Sequence, residues 1–178
     1  MASGFSGFKN HALVVSLWHQ RVHQGLYFTA DRTVLGTLGN NATIEILLQV
    51  GALEIHLREF ANASADATLE IFEGPTFSAA GTALPIINKN RRSSIVSTCT
   101  ATHTPTTSDD GTELDTLYMP GGSGGNASGA SASFEVEWLL AANTNYLIRL
   151  TNVDGANQSG HLHLEWYEEL TGAELSLG

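Results

Sequence analysis

Apolar and polar residues alternate most clearly in the last third of the chain. Phe134, Val136 and Trp138 alternate with Glu135 and Glu137; Tyr146, Ile148 and Leu150 with Leu147, Arg149 and Thr151; Leu162, Leu164 and Trp166 with His161, His163 and Glu165. Successive side chains on a strand point to opposite faces, so each run presents one apolar and one mostly polar face. The connectors, 141–145 and 152–160, are short and rich in turn-forming residues. This pattern predicts three sequential strands of one antiparallel sheet with a buried face.

The alternation continues upstream. Ile44, Ile46, Leu48 and Val50 share a face, and after Gly51 the phase shifts to Leu53, Ile55 and Leu57, which reads as two strands. A further strand is predicted over 68–73, with Leu69 and Ile71 inward and Gly74-Pro75 as its stop, because proline has no donor for a central ladder. Residues 76–90 read as irregular. A strand is predicted over 93–104, with Ser94, Val96, Thr98, Thr100 and Thr102 on one face and Ser93, Ile95, Ser97, Cys99, Ala101 and His103 on the other. Its core face is weak, which suits an edge or a subunit contact. A short strand at 112–118 precedes a Gly/Ser/Ala loop over 119–133, read as a surface flap. Residues 12–33 read as strand, turn, strand, although His19 and His23 would share a face in a helix. Residues 1–10 read as an arm with Phe5 and Phe8 as its apolar points.

About eight or nine strands at roughly ten-residue spacing, with no convincing helix, indicate an all-β fold: an antiparallel β-sandwich of jelly-roll type. A length of 178 residues suits a single domain. Its expected parts are an N-terminal arm and first segment over 1–32, the sandwich over 33–170 and a C-terminal tail over 171–178.

Charge narrows the partners. A net charge of -10 speaks against nucleic acid, which needs clustered Lys and Arg. Lys89, Arg91 and Arg92 form the one dense basic cluster and suit local docking on an acidic protein surface. No stretch approaches the ~20 apolar residues of a membrane helix. No signal peptide is recognised, so synthesis in a cytosol is expected. The single cysteine, Cys99, excludes an intrachain disulfide and reads as a small packed residue.

Candidate chemistry is sparse. His161, His163 and Glu165 share a strand face and have zinc-ligand character, but a third fixed ligand is not evident, and solvent-facing alternation accounts for them. His19-Gln20-Arg21-Val22-His23 resembles half of a helical zinc motif without its general-base glutamate. Glu70, Glu73, Glu135, Glu137, Glu165, Glu168 and Glu169 read as solvated carboxylates rather than a glycosidase pair. The run Gly121-Gly122-Ser123-Gly124-Gly125 lacks the Gly-Lys-Ser/Thr ending of a phosphate loop. Neither a catalytic motif nor a cofactor is indicated.

Four groups of residues carry a resemblance: His19, His23 and Gly25 before Tyr27-Phe28; Leu69-Glu70-Ile71-Phe72-Glu73-Gly74 with Ser78, Gly81-Thr82 and Pro85; Asn88-Lys89-Asn90-Arg91-Arg92-Ser93-Ser94 with Gly111-Thr112; and Glu137-Trp138-Leu139-Leu140, Asn143-Thr144, the run 146–152 and Trp166-Tyr167-Glu168. In order and spacing the chain resembles the small β-rich virion proteins that tailed bacteriophages encode near their major capsid protein, a capsid decoration or cement-like family. It departs from that pattern by continuing about ten residues past Glu168. The resemblance implies a structural, non-catalytic protein on the capsid surface of the virion, with the major capsid protein as partner and a homotrimer as the assembly. Phe5, Phe8, Lys89, Arg91, Arg92, Thr98, Thr100 and Thr102 are the candidate capsid or subunit contacts. The alternative is a carbohydrate- or receptor-binding module of a tail or fibre, with Tyr27, Tyr118 and Tyr167 as its platform.

Overall fold

The computed structural model describes residues 16–121, 130–133 and 137–169. In chain order these form α1 (Leu17–Gln24), β1 (Tyr27–Leu38), β2 (Thr43–Gln49), β3 (Ile55–Ala63), β4 (Ala67–Glu73), β5 (Thr76–Ala79), β6 (Thr82–Ala83), β7 (Ile87–Asn88), β8 (Thr100–His103), β9 (Thr106–Asp109), β10 (Thr112–Met119), β11 (Ala130–Ser133), β12 (Trp138–Leu140), β13 (Asn145–Asn152) and β14 (Gln158–Glu168).

The strand pairing is nested. β1 pairs with β14, β2 with β13, β3 with β11 and β12, and β4 with β10, all antiparallel. The first half of the chain therefore runs beside the second half in reverse, and the doubled ribbon folds into two sheets. One has the order β11-β3-β14-β1-β7, with β12 also on β3; the other has the order β10-β4-β13-β2-β8-β6. Period-two alternation explains the stacking. Phe28, Leu57, Leu162, Leu164 and Trp166 of the first sheet meet Ile46, Leu48, Leu69, Ile71, Ile148 and Leu150 of the second in one core. The all-β sandwich expectation holds.

The three C-terminal runs are not neighbours in one sheet, as their alternation had suggested. β12 and β14 both pair with β3, whereas β13 lies in the opposite sheet between β4 and β2. A connector of four or five residues spans a hairpin or a crossover between sheets equally well, so local sequence does not choose. Of the run beginning at Phe134, residues 134–136 lie outside the described residues.

The crossovers are held by buried amides. The Asn152 side-chain nitrogen donates to the carbonyls of Leu38, Gly39 and Ala156 at 2.8, 2.9 and 2.7 Å, and its oxygen accepts from the Asp154 N–H at 2.9 Å. Gln158 donates to the Asp66 carbonyl at 2.9 Å and accepts from the Ala65 N–H at 2.8 Å. At this end the sheets approach so closely that a Cβ on Gly160 would lie 2.8 Å from Ile44 Cδ1.

Four segments differ from the sequence pattern. Residues 17–24 are helical because Ser16 caps the helix, accepting from the His19 N–H at 3.3 Å, and Gly25 ends it in the left-handed region at φ 76°. β1 then begins at Tyr27, so the 1–32 segment contributes this helix and the start of the sandwich. Only Thr100–His103 of the 93–104 run is a strand, since side chains described below engage the backbone of Ile95 and Thr98 in place of a ladder. Residues 76–90 contain the short strands β5, β6 and β7, and residues 130–133 of the supposed flap pair with β3.

Leu47, Leu147 and Phe72 form a cross-strand row on the outer face of the second sheet, yet all three are buried. Arg149 on the same face holds Asp110 with two bonds of 2.7 Å and Glu45 at 2.7 Å, and its guanidinium lies 5.1 Å from the Phe72 ring centroid. The excursion between β4 and β10 is thereby fastened to this face.

Glu59 is inward on β3, in phase with Leu57 and Ala61, and 1% exposed. Trp138 Nε1 donates to one carboxyl oxygen at 3.1 Å, and the other has no partner among the described residues. Burial pushes the carboxyl up to about 7 from 4.5, with Asp115 raising it further against the lowering effects of Trp138 and Arg58. The folded state thus keeps a proton that the unfolded chain releases, so the associated stability is full below about 4.5 and is lost as pH rises through about 7.

Two outcomes are expected from urea unfolding. Asn152→Ala lowers stability by about 2 kcal/mol, because the buried Leu38 carbonyl loses its donor at a cost of ~1–3 kcal/mol and the part-buried Gly39 and Ala156 bonds are lost with it; a loss well below this would show that the crossovers do not need the amide. The stability of Glu59→Gln relative to wild type rises by roughly 3 kcal/mol between pH 4.5 and 8. A difference independent of pH would mean that the Glu59 carboxyl titrates normally.

Candidate functional site

The outer face of the first sheet carries a layer of rings and charges under α1. Trp18 meets Tyr27 edge-on at 5.2 Å and Tyr167 at 4.7 Å between centroids. Arg21, buried beneath the helix, bonds Glu169 at 2.9 Å and lies over the Tyr167 ring. His56 stacks on that ring at 4.4 Å, and Arg58 lies over Trp18 and Phe60. Burial raises the Tyr167 hydroxyl to about 12, with Glu137 and Glu169 adding to the shift.

Glu165 is the hub beside this layer. It accepts from Tyr27 at 2.6 Å, meets His163 Nε2 at 3.2 Å and pairs with Lys89. The His163 hydrogen bond, followed by those of Lys89 and Tyr27, holds its carboxyl down at about 2 despite burial. The expected solvated row is therefore a packed network. Among the described residues no group of three or more His, Cys, Asp or Glu side chains is placed to hold a metal ion.

From this layer the chain continues into a loop built on asparagine side chains. Asn88 Nδ2 donates to the carbonyls of Gly25 at 2.7 Å and Ile95 at 3.0 Å, while its oxygen accepts from the Asn90 N–H at 2.8 Å. Asn90 Nδ2 donates to the His23 carbonyl at 3.0 Å, and its oxygen accepts from the Arg92 N–H at 3.1 Å. Asn side chains bond nearby backbone in this way at the expense of strand pairing. Further on, Glu168 is 2% exposed, and its carboxylate accepts from Ser97 Oγ at 2.6 Å and the Thr98 N–H at 2.9 Å. This loop is thus held by α1 at one end and by β14 at the other. Glu168 was expected to be solvated, but its phase matches Trp166, which points inward.

The loop displays a patch of distinct chemistry. Arg91 and Arg92 are exposed and have no carboxylate partner among the described residues, whereas Arg21, Lys89 and Arg149 are held in ion pairs. Ile87, Ile95 and Val96 are exposed nearby, Val96 to 82%. Arg91 lies between two shallow hollows. One, of about 260 Å³, is lined partly by Phe28, Ile86, Ile95 and Val96; the other, of about 330 Å³, lies between Val22, His23 and the 89–92 turn. Exposed apolar groups flanked by unpaired guanidinium groups, on a chain of net charge -10, suit an acidic protein surface.

The structure brings Lys89, Arg91 and Arg92 together on this loop but turns the Lys89 ammonium inward, over the Tyr27 ring and onto Glu165. Thr98 is exposed where the loop ends. Thr100 lies on the second sheet, exposed and bonded to Gln49 at 3.1 Å. Thr102 is buried and donates its hydroxyl to the Ala80 carbonyl, so it does not belong to a contact surface as expected. Phe5 and Phe8 lie outside the described residues. The tyrosine platform is not formed: Tyr27 and Tyr167 are buried, and only Tyr118 is exposed.

No protein-family model matches this chain, and neither a curated protein nor a solved structure matches it. The exposed apolar residues beside Arg91 were missed in the sequence because the 93–104 run read as one strand, which assigned Ile95 and Val96 to opposite faces.

Cys99 is buried behind the Glu168 clasp, and burial pushes its thiol up to about 11. Glu168→Ala is expected to speed its modification by a disulfide reagent by about tenfold or more, as the 97–99 segment opens more often. An unchanged rate would show that Glu168 does not hold this segment closed.

Proposed function

We propose that this chain is a structural virion protein that binds the exterior of a bacteriophage capsid and stabilises it as a decoration or cement subunit. The major capsid protein is its partner and a homotrimer its assembly. The observation that carries this reading is the pinned loop with Arg91 and Arg92, which have no carboxylate partner among the described residues, beside Ile87, Ile95 and Val96. A decoration protein needs a rigid scaffold and a preformed contact patch, and this loop is fastened on both sides by buried or half-buried side chains. The nested pairing also supports it. We read that pairing as jelly-roll wrapping, an arrangement used by viral capsid and lectin domains. This support is architectural, since folds host many functions. The lectin-like alternative lacks its aromatic platform, because Tyr27 and Tyr167 lie under α1.

On this reading, the purified trimer, sized by light scattering, co-sediments saturably with assembled heads that lack it. The charge-reversal pair Arg91→Glu and Arg92→Glu keeps the wild-type melting temperature and weakens binding by about tenfold or more, since both side chains are exposed. Protein that stays in the supernatant, or charge-reversed protein that binds like wild type, would overturn the assignment.

A further inference from the structure

The capping helix presents a second chemistry on its outward side. His19 and His23 stand four residues apart on α1, both exposed, with their Nε2 atoms 3.0 Å apart and ring centroids 4.6 Å apart. We propose that this pair is a binding site for a divalent transition cation of the Cu²⁺, Ni²⁺ and Zn²⁺ class, chelated through the two Nε2 atoms.

Geometry supplies the first argument. Metal–imidazole bonds of about 2.05 Å place two nitrogens about 2.9 Å apart at a 90° angle and about 3.3 Å apart at a tetrahedral angle. The observed 3.0 Å lies between these values, so a cation enters with only a small side-chain rotation. Without a cation, two facing ring nitrogens require one to donate a proton to the other. A metal ion takes both Nε2 lone pairs once the donating ring carries its proton on Nδ1, which faces away from the pair.

Preorganisation supplies the second. α1 is fixed independently of the histidines: Ser16 caps its start, Gly25 its end, Trp18 packs against Tyr27 and Tyr167, and Arg21 bonds Glu169. Asn90 holds the His23 carbonyl from the neighbouring loop. The remaining coordination positions face solvent and take water. With two protein ligands the site has modest affinity, and imidazole nitrogen favours Cu²⁺ over Ni²⁺ and Zn²⁺. By joining successive turns, the cation braces the helix that covers the sheet face.

The test is calorimetric titration of the full chain with each metal chloride in a non-coordinating buffer at neutral pH, together with thermal melting. One cation per chain is expected, with a rise in melting temperature and release on acidification, because ligating imidazoles must be deprotonated. His19→Ala and His23→Ala each weaken binding by about tenfold or more and abolish the thermal shift. Alanine favours helix, so far-ultraviolet circular dichroism stays unchanged. The control His161→Ala with His163→Ala binds as wild type. Absence of stoichiometric binding, wild-type affinity in His23→Ala, or loss of binding in the control would each overturn the proposal.

Discussion

Where a chain leaves one sheet of a sandwich for the other, its carbonyls lose their ladder partners while still shielded from water. Asn152 meets that constraint here. One amide, 0% exposed, serves the Leu38–Gly39 turn that leaves β1 and the Ala156 turn that leads into β14. Because β1 and β14 pair along most of their length, fixing both turns at one point sets where the nested ribbon folds over. Gln158 does the same for the turn between β3 and β4. An apolar residue at either place would pack as well but leave those groups without partners, a larger loss than the packing gains.

Outside the core, the two sheets solve a common problem in different ways. Each has an outer face with aromatic and aliphatic groups that water would otherwise meet. The first is covered by α1 through Trp18, the second by the long excursion tied down through Asp110 and Arg149. In both, cations lie over rings: Arg21 over Tyr167, Arg58 over Trp18, Lys89 over Tyr27 and Arg149 over Phe72. A cation above a ring covers apolar surface and keeps access to a carboxylate or water. This use of scarce positive charge leaves Arg91 and Arg92 as a local surplus on an acidic molecule, which gives their loop its electrostatic identity.

Much of the architecture was legible from period-two alternation. The strands at 43–49, 67–73 and 145–152 and their inward faces follow from it, and so does the buried Trp166. Glu168 was read as solvated because of its charge, yet it shares the inward phase of Trp166 and is buried. The helical spacing of His19 and His23 was visible too, but residues 12–33 read as strand, turn, strand, because a helix of only eight residues carries little periodic signal. The basic cluster at 89–92 was plain; that Lys89 is spent on Glu165, 76 residues away, was not.

The division follows from the range of each interaction. Alternation, turn chemistry and the spacing of His19 and His23 are properties of neighbouring residues, so the sequence by itself determined the β class, most inward faces and the clustering of basic residues. Which strand pairs with which depends on apolar faces and amide partners far apart in the chain. Only the tertiary structure decided that β13 crosses to the opposite sheet, that Glu168 clasps the 97–99 segment and that Arg91 and Arg92 have no carboxylate partner among the described residues.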